Sequence, residues 1–135
     1  MSDRELAEHF EGMSTIVPVR DVVASAAFYR DMLDFELRTI DGDNQYALLA
    51  IGHASVMLLG TDDATALAAT ATNVSAYFWI DDVDALWERY ASRLSELPEG
   101  RVRVPFNQPY GAREFHVKDP DGFLMFFGHI IRDEG

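Results

Sequence analysis

Apolar positions along this 135-residue chain recur at two spacings, every second residue in some stretches and every third or fourth in others. Residues 2–11 are predicted as a short helix, because Ser2 and Glu5 have capping-box spacing and Leu6 and Phe10 stand four apart. STIVPVRDV, from Ser14, reads as a strand, and Asp21 sits where a helix N-cap belongs. VVASAAFYRDMLDF reads as a helix with Phe28, Tyr29, Met32 and Leu33 on one side, followed by a strand in FELRTI. QYALLAIGHASVMLLG then reads as a hairpin turning near Gly52, and residues 61–73, small and polar without strong pattern, as a linker. Beyond the linker, SAYFWIDDV is a strand that ends at a second N-cap candidate, Asp82. VDALWERYASRL is a helix with Val83, Leu86, Trp87, Tyr90 and Leu94 in register, and RVRVPF is a strand. YGAREFHVKDPDGFLMFFGH, Tyr110–His129, closes the chain as a hairpin about the DPDG turn at Asp119–Gly122.

Each half therefore has the order βαβββ, which predicts an α+β fold. Two tandem modules, 13–60 and 74–130, follow an N-terminal extension at 1–12 and form one domain. They are expected to build curved mixed sheets with helices on the outer face and a cup-shaped pocket. A shift of 61 positions pairs Ser14 with Ser75, Asp21 with Asp82, Tyr29 with Tyr90 and Leu33 with Leu94. A shift of 68 aligns the hairpins, pairing Met57 with Met125 and Gly60 with Gly128. Strand alternation then assigns Val17, Val19, Ala47, Leu49, Met57, Leu59, Phe78, Ile80, Phe115, Val117, Met125 and Phe127 to the core. The opposite face carries Ser14, Ile16, Pro18, Tyr46, Leu48, Val56, Leu58, Ser75, Tyr77, Trp79, Glu114, His116, Leu124 and Phe126. Aromatic bulk with a few polar groups suits a ligand surface or a dimer interface.

The formal net charge of -12 argues against nucleic acid and anionic membranes as partners and is compatible with neutral or cationic small molecules. The absence of cysteine excludes disulfides, thiolate nucleophiles and Cys-based metal sites. No apolar run approaches the ~20 residues of a membrane span, and MSDRELAEHFEG lacks the order of a signal peptide, so a cytoplasmic protein is expected.

VRDVVASAAFYRDMLDFEL, FWIDDVDALWERY and GAREFHVKDPDGFLMFFG together resemble the vicinal oxygen chelate superfamily of glyoxalases, bleomycin resistance proteins and extradiol dioxygenases, over residues 13–130. The resemblance implies a divalent metal held by His, Glu or Gln from the first and last strands of each module in its enzymes. Carried onto this chain, those positions are Ser14, Leu58, Ser75 and Phe126, two hydroxyls and two hydrocarbons. That set cannot replace the water shell of a divalent cation, so no catalytic metal or other cofactor is expected. Of the histidines, His9, His53 and His129 read as surface or strand-end residues; His116, with Glu114, is a candidate for ligand contact or acid/base work.

The candidate ligand-binding residues are Tyr46, Leu48, Leu58, Tyr77, Trp79, Glu114, His116 and Phe126, with Arg113 and Asn107 flanking a mobile rim loop, FNQPYGAR. Three functions fit. The first is a metal-free, dimeric binder resembling the bleomycin resistance type, sequestering an aromatic, neutral or cationic natural product in a pocket shared between two chains. The second is a glyoxalase-like lyase, isomerase or dioxygenase with displaced site residues. The third is a structural or regulatory subunit.

Overall fold

Asp21 and Asp82 each start a helix, as their spacing predicts: their carboxylates accept the Ala24 and Ala85 N–H groups at 3.1 Å. In this computed structural model, which describes residues 1–132, those helices are α2 (Val22–Leu33) and α4 (Val83–Leu94). The first unit comprises β1 (Met13–Val19), α2, β2 (Glu36–Asp41), β3 (Tyr46–Ile51) and β4 (Ala54–Gly60), preceded by α1 (Asp3–Glu8). The second comprises β5 (Ser75–Trp79), α4, β6 (Val102–Asn107), β7 (Ala112–Lys118) and β8 (Leu124–Ile130). The linker between them is helical over α3 (Ala64–Asn73), capped by Asp63, which accepts from the Thr65 and Ala66 N–H groups. Its alanines carry strong helix propensity without an apolar stripe, which is why periodicity alone misses it.

Each unit forms a four-stranded mixed sheet. Sheet A has the order β1-β4-β3-β2 and sheet B the order β5-β8-β7-β6; the first pair of each is parallel and the others antiparallel. The registers correct one expectation. Ser14 pairs with Ser55 while Ser75 pairs with Leu124, so the last strands are offset by 69 (124 minus 55) rather than 68. The structural counterpart of Phe126 is therefore Met57, and the Met57–Met125 and Gly60–Gly128 matches are one residue out of step. A slip of one residue exchanges the two faces of a strand. Val56 and Leu58 are fully buried in the core, whereas Met57 and Leu59 lie on the other face, Leu59 with 42% of its surface exposed. The parity of the remaining strands holds, with Val17, Val19, Ala47, Leu49, Phe115, Val117, Met125 and Phe127 all buried.

The two units share a single core. Phe115 stacks on Phe127 at 4.9 Å, and Tyr90 meets both rings edge-on. At the junction the DPDG turn reaches back to the first unit. Buried Asp119 accepts the Tyr29 hydroxyl at 3.0 Å as well as the N–H groups of Asp121 and Phe123. The Arg20 N–H donates to Asp121. In the reverse direction, the Tyr90 hydroxyl donates to the Leu33 carbonyl at 2.6 Å, and Arg93 grips Asp34 through two bonds of 2.8 Å. The paired tyrosines of the repeat thus each lock the other unit. Removing the Tyr29 hydroxyl takes one donor from a buried carboxyl group, so Tyr29→Phe is expected to cost about 1–3 kcal/mol. Thermal unfolding should show a Tm lower by roughly 4–11 °C; an unchanged Tm would contradict the role assigned to this bond.

Candidate ligand-binding site

Strand alternation puts one ring after another on the open face of sheet B, the face opposite the core. β5 supplies Tyr77 and Trp79, β8 Phe126, β7 His116 and β6 Phe106. Neighbouring ring centroids are separated by 4.5 Å (Trp79–Tyr77), 5.7 Å (Tyr77–Phe126), 4.1 Å (Phe126–His116) and 5.2 Å (His116–Phe106). The row crosses all four strands and ends at Arg103, whose guanidinium lies 3.5 Å from the Phe106 centroid. At the other end Trp79 is 67% exposed. His116 and Phe126 are nearly parallel, at 25°.

Beneath the row lies Glu114, which is wholly buried. Its Oε1 accepts from Gln108 Nε2 at 2.7 Å and the Tyr110 hydroxyl at 2.8 Å, and shares a proton with His116 Nε2 at 2.8 Å. Its Oε2 accepts from the hydroxyls of Tyr77 at 2.8 Å and Tyr110 at 2.7 Å. Burial works to raise the Glu114 pKa, but the side-chain donors outweigh it and hold the carboxyl at about 2. Burial and the adjacent carboxylate push the Tyr77 and Tyr110 hydroxyls up, so both remain donors. An ionised carboxylate only accepts, so His116 Nε2 is the donor in this bond. Nδ1 makes no hydrogen bond among the described residues.

Local sequence explains how this cluster fits. Gly128 pairs with both Trp79 and Glu114, and a Cβ there would collide with the Tyr77 hydroxyl; its absence opens the path from Tyr77 to Glu114. Gly111, at φ +89°, turns the β6–β7 loop so that Gln108 and Tyr110 fold back onto the same carboxylate. The loop read as a mobile rim is thereby pinned. Gln108, Tyr110, Gly128, Phe106 and Arg103 are the residues that sequence reading missed. A glutamate at a face-pointing position just after a turn containing Gln and Tyr was the available signal for the first two.

The structure brings five of the expected residues together: Tyr77, Trp79, Glu114, His116 and Phe126. Tyr46 and Leu48 lie on the equivalent face of sheet A beside Ile16, Met57 and Leu59. Leu58 belongs to the core, for the register reason above. Arg113 has core-side parity and forms a two-pronged pair with Asp84 on α4 at 2.9–3.1 Å, while also donating to Asn107 at 3.0 Å. Those two residues brace the helix and do not join the aromatic row. His129 accepts the Val83 N–H at 3.0 Å and so caps α4. A cleft of about 1500 Å³ also runs between β1 and β5, lined by Ser14, Ser55, Ser75, Tyr77 and Trp79 among others.

With the corrected register, the positions that hold a metal in the resembled enzymes are Ser14, Met57, Ser75 and Phe126. The Ser14 hydroxyl is engaged with that of Ser55. Two hydroxyls, a thioether and a ring do not fit a hard or borderline divalent cation. No group of three or more His, Asp or Glu suited to a metal occurs among the described residues.

Tandem βαβββ units, each forming a four-stranded mixed sheet, define a two-module α+β fold class. The sequence profile of the Glyoxalase/Bleomycin resistance protein/Dioxygenase superfamily matches residues 8–127, and the chain belongs to that superfamily. Similar crystal structures include the bleomycin-binding protein of bleomycin-producing Streptomyces verticillus complexed with copper(II)-bleomycin. It is 27% identical over 92% of this chain and 98% of that one, with a TM-score of 0.70. A bleomycin resistance determinant encoded on transposon Tn5 is 19% identical over 90% of this chain and 98% of that one, with a TM-score of 0.71. Lactoylglutathione lyase from Agrobacterium tumefaciens is 23% identical over 87% of this chain and 91% of that one, with a TM-score of 0.62. The last two share the fold. No curated protein sequence matches the chain.

Because the folded pKa of Glu114 lies below its ordinary value of 4.5, its contribution is fully present above about pH 4.5 and is lost as pH falls towards 2. Glu114→Gln is expected to be less stable than the parent at pH 7 by about 2–3 kcal/mol and to lose less on going to pH 3. Urea unfolding at the two pH values measures this; parallel losses in parent and variant would contradict it.

Proposed function

We propose that this protein is a metal-free small-molecule binder that sequesters an aromatic natural product, conferring antibiotic resistance by binding, as a cytoplasmic homodimer. The observation that carries the reading is the row of rings across sheet B, held over a saturated carboxylate. An aromatic ligand laid on such a surface gains about 0.5–1.5 kcal/mol per ring pair beyond area burial. The likeness to a bleomycin-binding protein at 27% identity supports the same role. A dimer is supported by the open face of sheet A, where Ile16 and Leu59 leave 57% and 42% of their surface exposed. No helix is long and apolar enough to cross a membrane among the described residues.

A second reading, a lyase or isomerase that works without metal, is favoured by one observation: the Glu114–His116 pair orients an imidazole as a general base would be oriented. The donor set at the superfamily's metal positions weighs against metal-assisted chemistry here.

Trp79 is the exposed tryptophan, whereas Trp87 packs on Phe115 at 5.2 Å. Titration with metal-free bleomycin and a panel of aromatic antibiotics should quench tryptophan emission saturably with at least one member, and Trp79→Phe should abolish the change. Elemental analysis of purified protein should find no stoichiometric transition metal. A bound metal, or a flat titration across the panel, would contradict the proposal.

A further inference from the structure

The acidity of the whole chain points to a neutral or cationic ligand, yet the local charge at one end of the aromatic row is of the opposite sign. Arginines 4, 30, 38, 89, 93 and 113 each pair with a carboxylate. Arg101, Arg103 and Lys118, the only lysine in the chain, have no carboxylate partner within 4.0 Å among the described residues. These three line one pocket, of about 330 Å³, together with His116 and Leu124, and no carboxylate lines it.

The cations are also held in place. Arg103 is flat against Phe106 at 3.5 Å, which fixes the guanidinium while leaving its in-plane N–H edges for an oxyanion. Arg101 binds the Lys118 carbonyl through Nε at 2.9 Å, its guanidinium lies over the Phe28 ring at 5.3 Å, and its Nη2 is buried without a hydrogen-bond partner among the described residues. Arg103 faces His116 across the β6–β7 ladder. Among the described residues the only carboxylate bonded to His116 is that of Glu114, whose oxygens are filled by Tyr77, Gln108, Tyr110 and His116 itself. A ligand anion here therefore meets Arg103 and Lys118, with a satisfied carboxylate behind an imidazole.

We propose that this pocket is an anion subsite, so that the ligand is an aromatic acid: a planar ring system on Tyr77, Trp79 and Phe126 with a carboxylate, sulfonate or phosphate between Arg103 and Lys118. This rests on the reading of the aromatic row as a binding surface. Planar guanidinium recognition and a nearby ammonium select the anion, and a distributed surface charge of -12 does not cancel contacts at hydrogen-bond distance.

The test uses two fluorescent probes that differ by one sulfonate group, anilinonaphthalene sulfonate and its uncharged parent phenylnaphthylamine, with the full-length protein at low salt. The sulfonate is expected to bind about tenfold more tightly than the neutral probe, the size of one charge-assisted contact. In the double variant Arg103→Gln, Lys118→Gln, which alters two exposed side chains, the preference should fall to within about twofold of unity. Arg38→Gln, a cation elsewhere on the surface, should leave the preference intact, and added salt should erode it in the parent. Equal or weaker binding of the sulfonate, or a preference that survives the double variant, would overturn the anion subsite while leaving the aromatic surface standing. Failure of both probes to bind would overturn both.

Discussion

Glu114 is an ionised carboxylate sealed from solvent, and the open face of the second sheet is arranged around that charge. A buried carboxylate persists only where donors fill its oxygens. Here they come from β5, from the β6–β7 turn and from β7 itself. Satisfying the charge fixes each contributor: Tyr77 is drawn over Gly128, the turn is folded inward, and His116 is held beside Phe126. Two of the five rings in the row, Tyr77 and His116, are thus positioned by one electrostatic requirement.

The repeat shows what that requirement adds. Where sheet B has Tyr77, Glu114, His116 and Phe126, the structurally equivalent positions of sheet A hold Ile16, Tyr46, Leu48 and Met57. The first sheet offers packing without directional bonds, which is adequate for an apolar contact and poor at discrimination. The second sheet adds fixed donors, an oriented imidazole and terminal cations. The Tyr29–Asp119 and Tyr90–Leu33 bonds hold the two units in one body while leaving both open faces uncommitted.

Much of the fold was legible in the residues because its signals are local. Asp21 and Asp82 mark helix starts by a bond to a backbone three residues on, and apolar spacing separates helix from strand without reference to the rest of the molecule. The face assignment of β4 failed for the complementary reason. Matching Met57 to Met125 and Gly60 to Gly128 relies on identities, but register is set by pairing across the sheet, and all of ALLAI and SVMLL is apolar enough to suit either face. Leu58 was misplaced as a result. Gln108 and Tyr110 escaped notice because side chains that fold back from a turn leave no periodic trace. Arg113 looked like a rim residue until Asp84, distant in sequence, supplied its partner.

The aromatic row is proposed as the ligand surface in preference to the cleft between β1 and β5, with which it shares Tyr77 and Trp79. A chemical-shift map of isotopically labelled protein titrated with phenylnaphthylamine tests it most directly. Saturable shifts centred on His116 and Phe126, which lie outside the cleft, are expected, with the Trp87 indole unmoved. Shifts confined to Ile51–Ser55 and Leu86, which line the cleft, would contradict it.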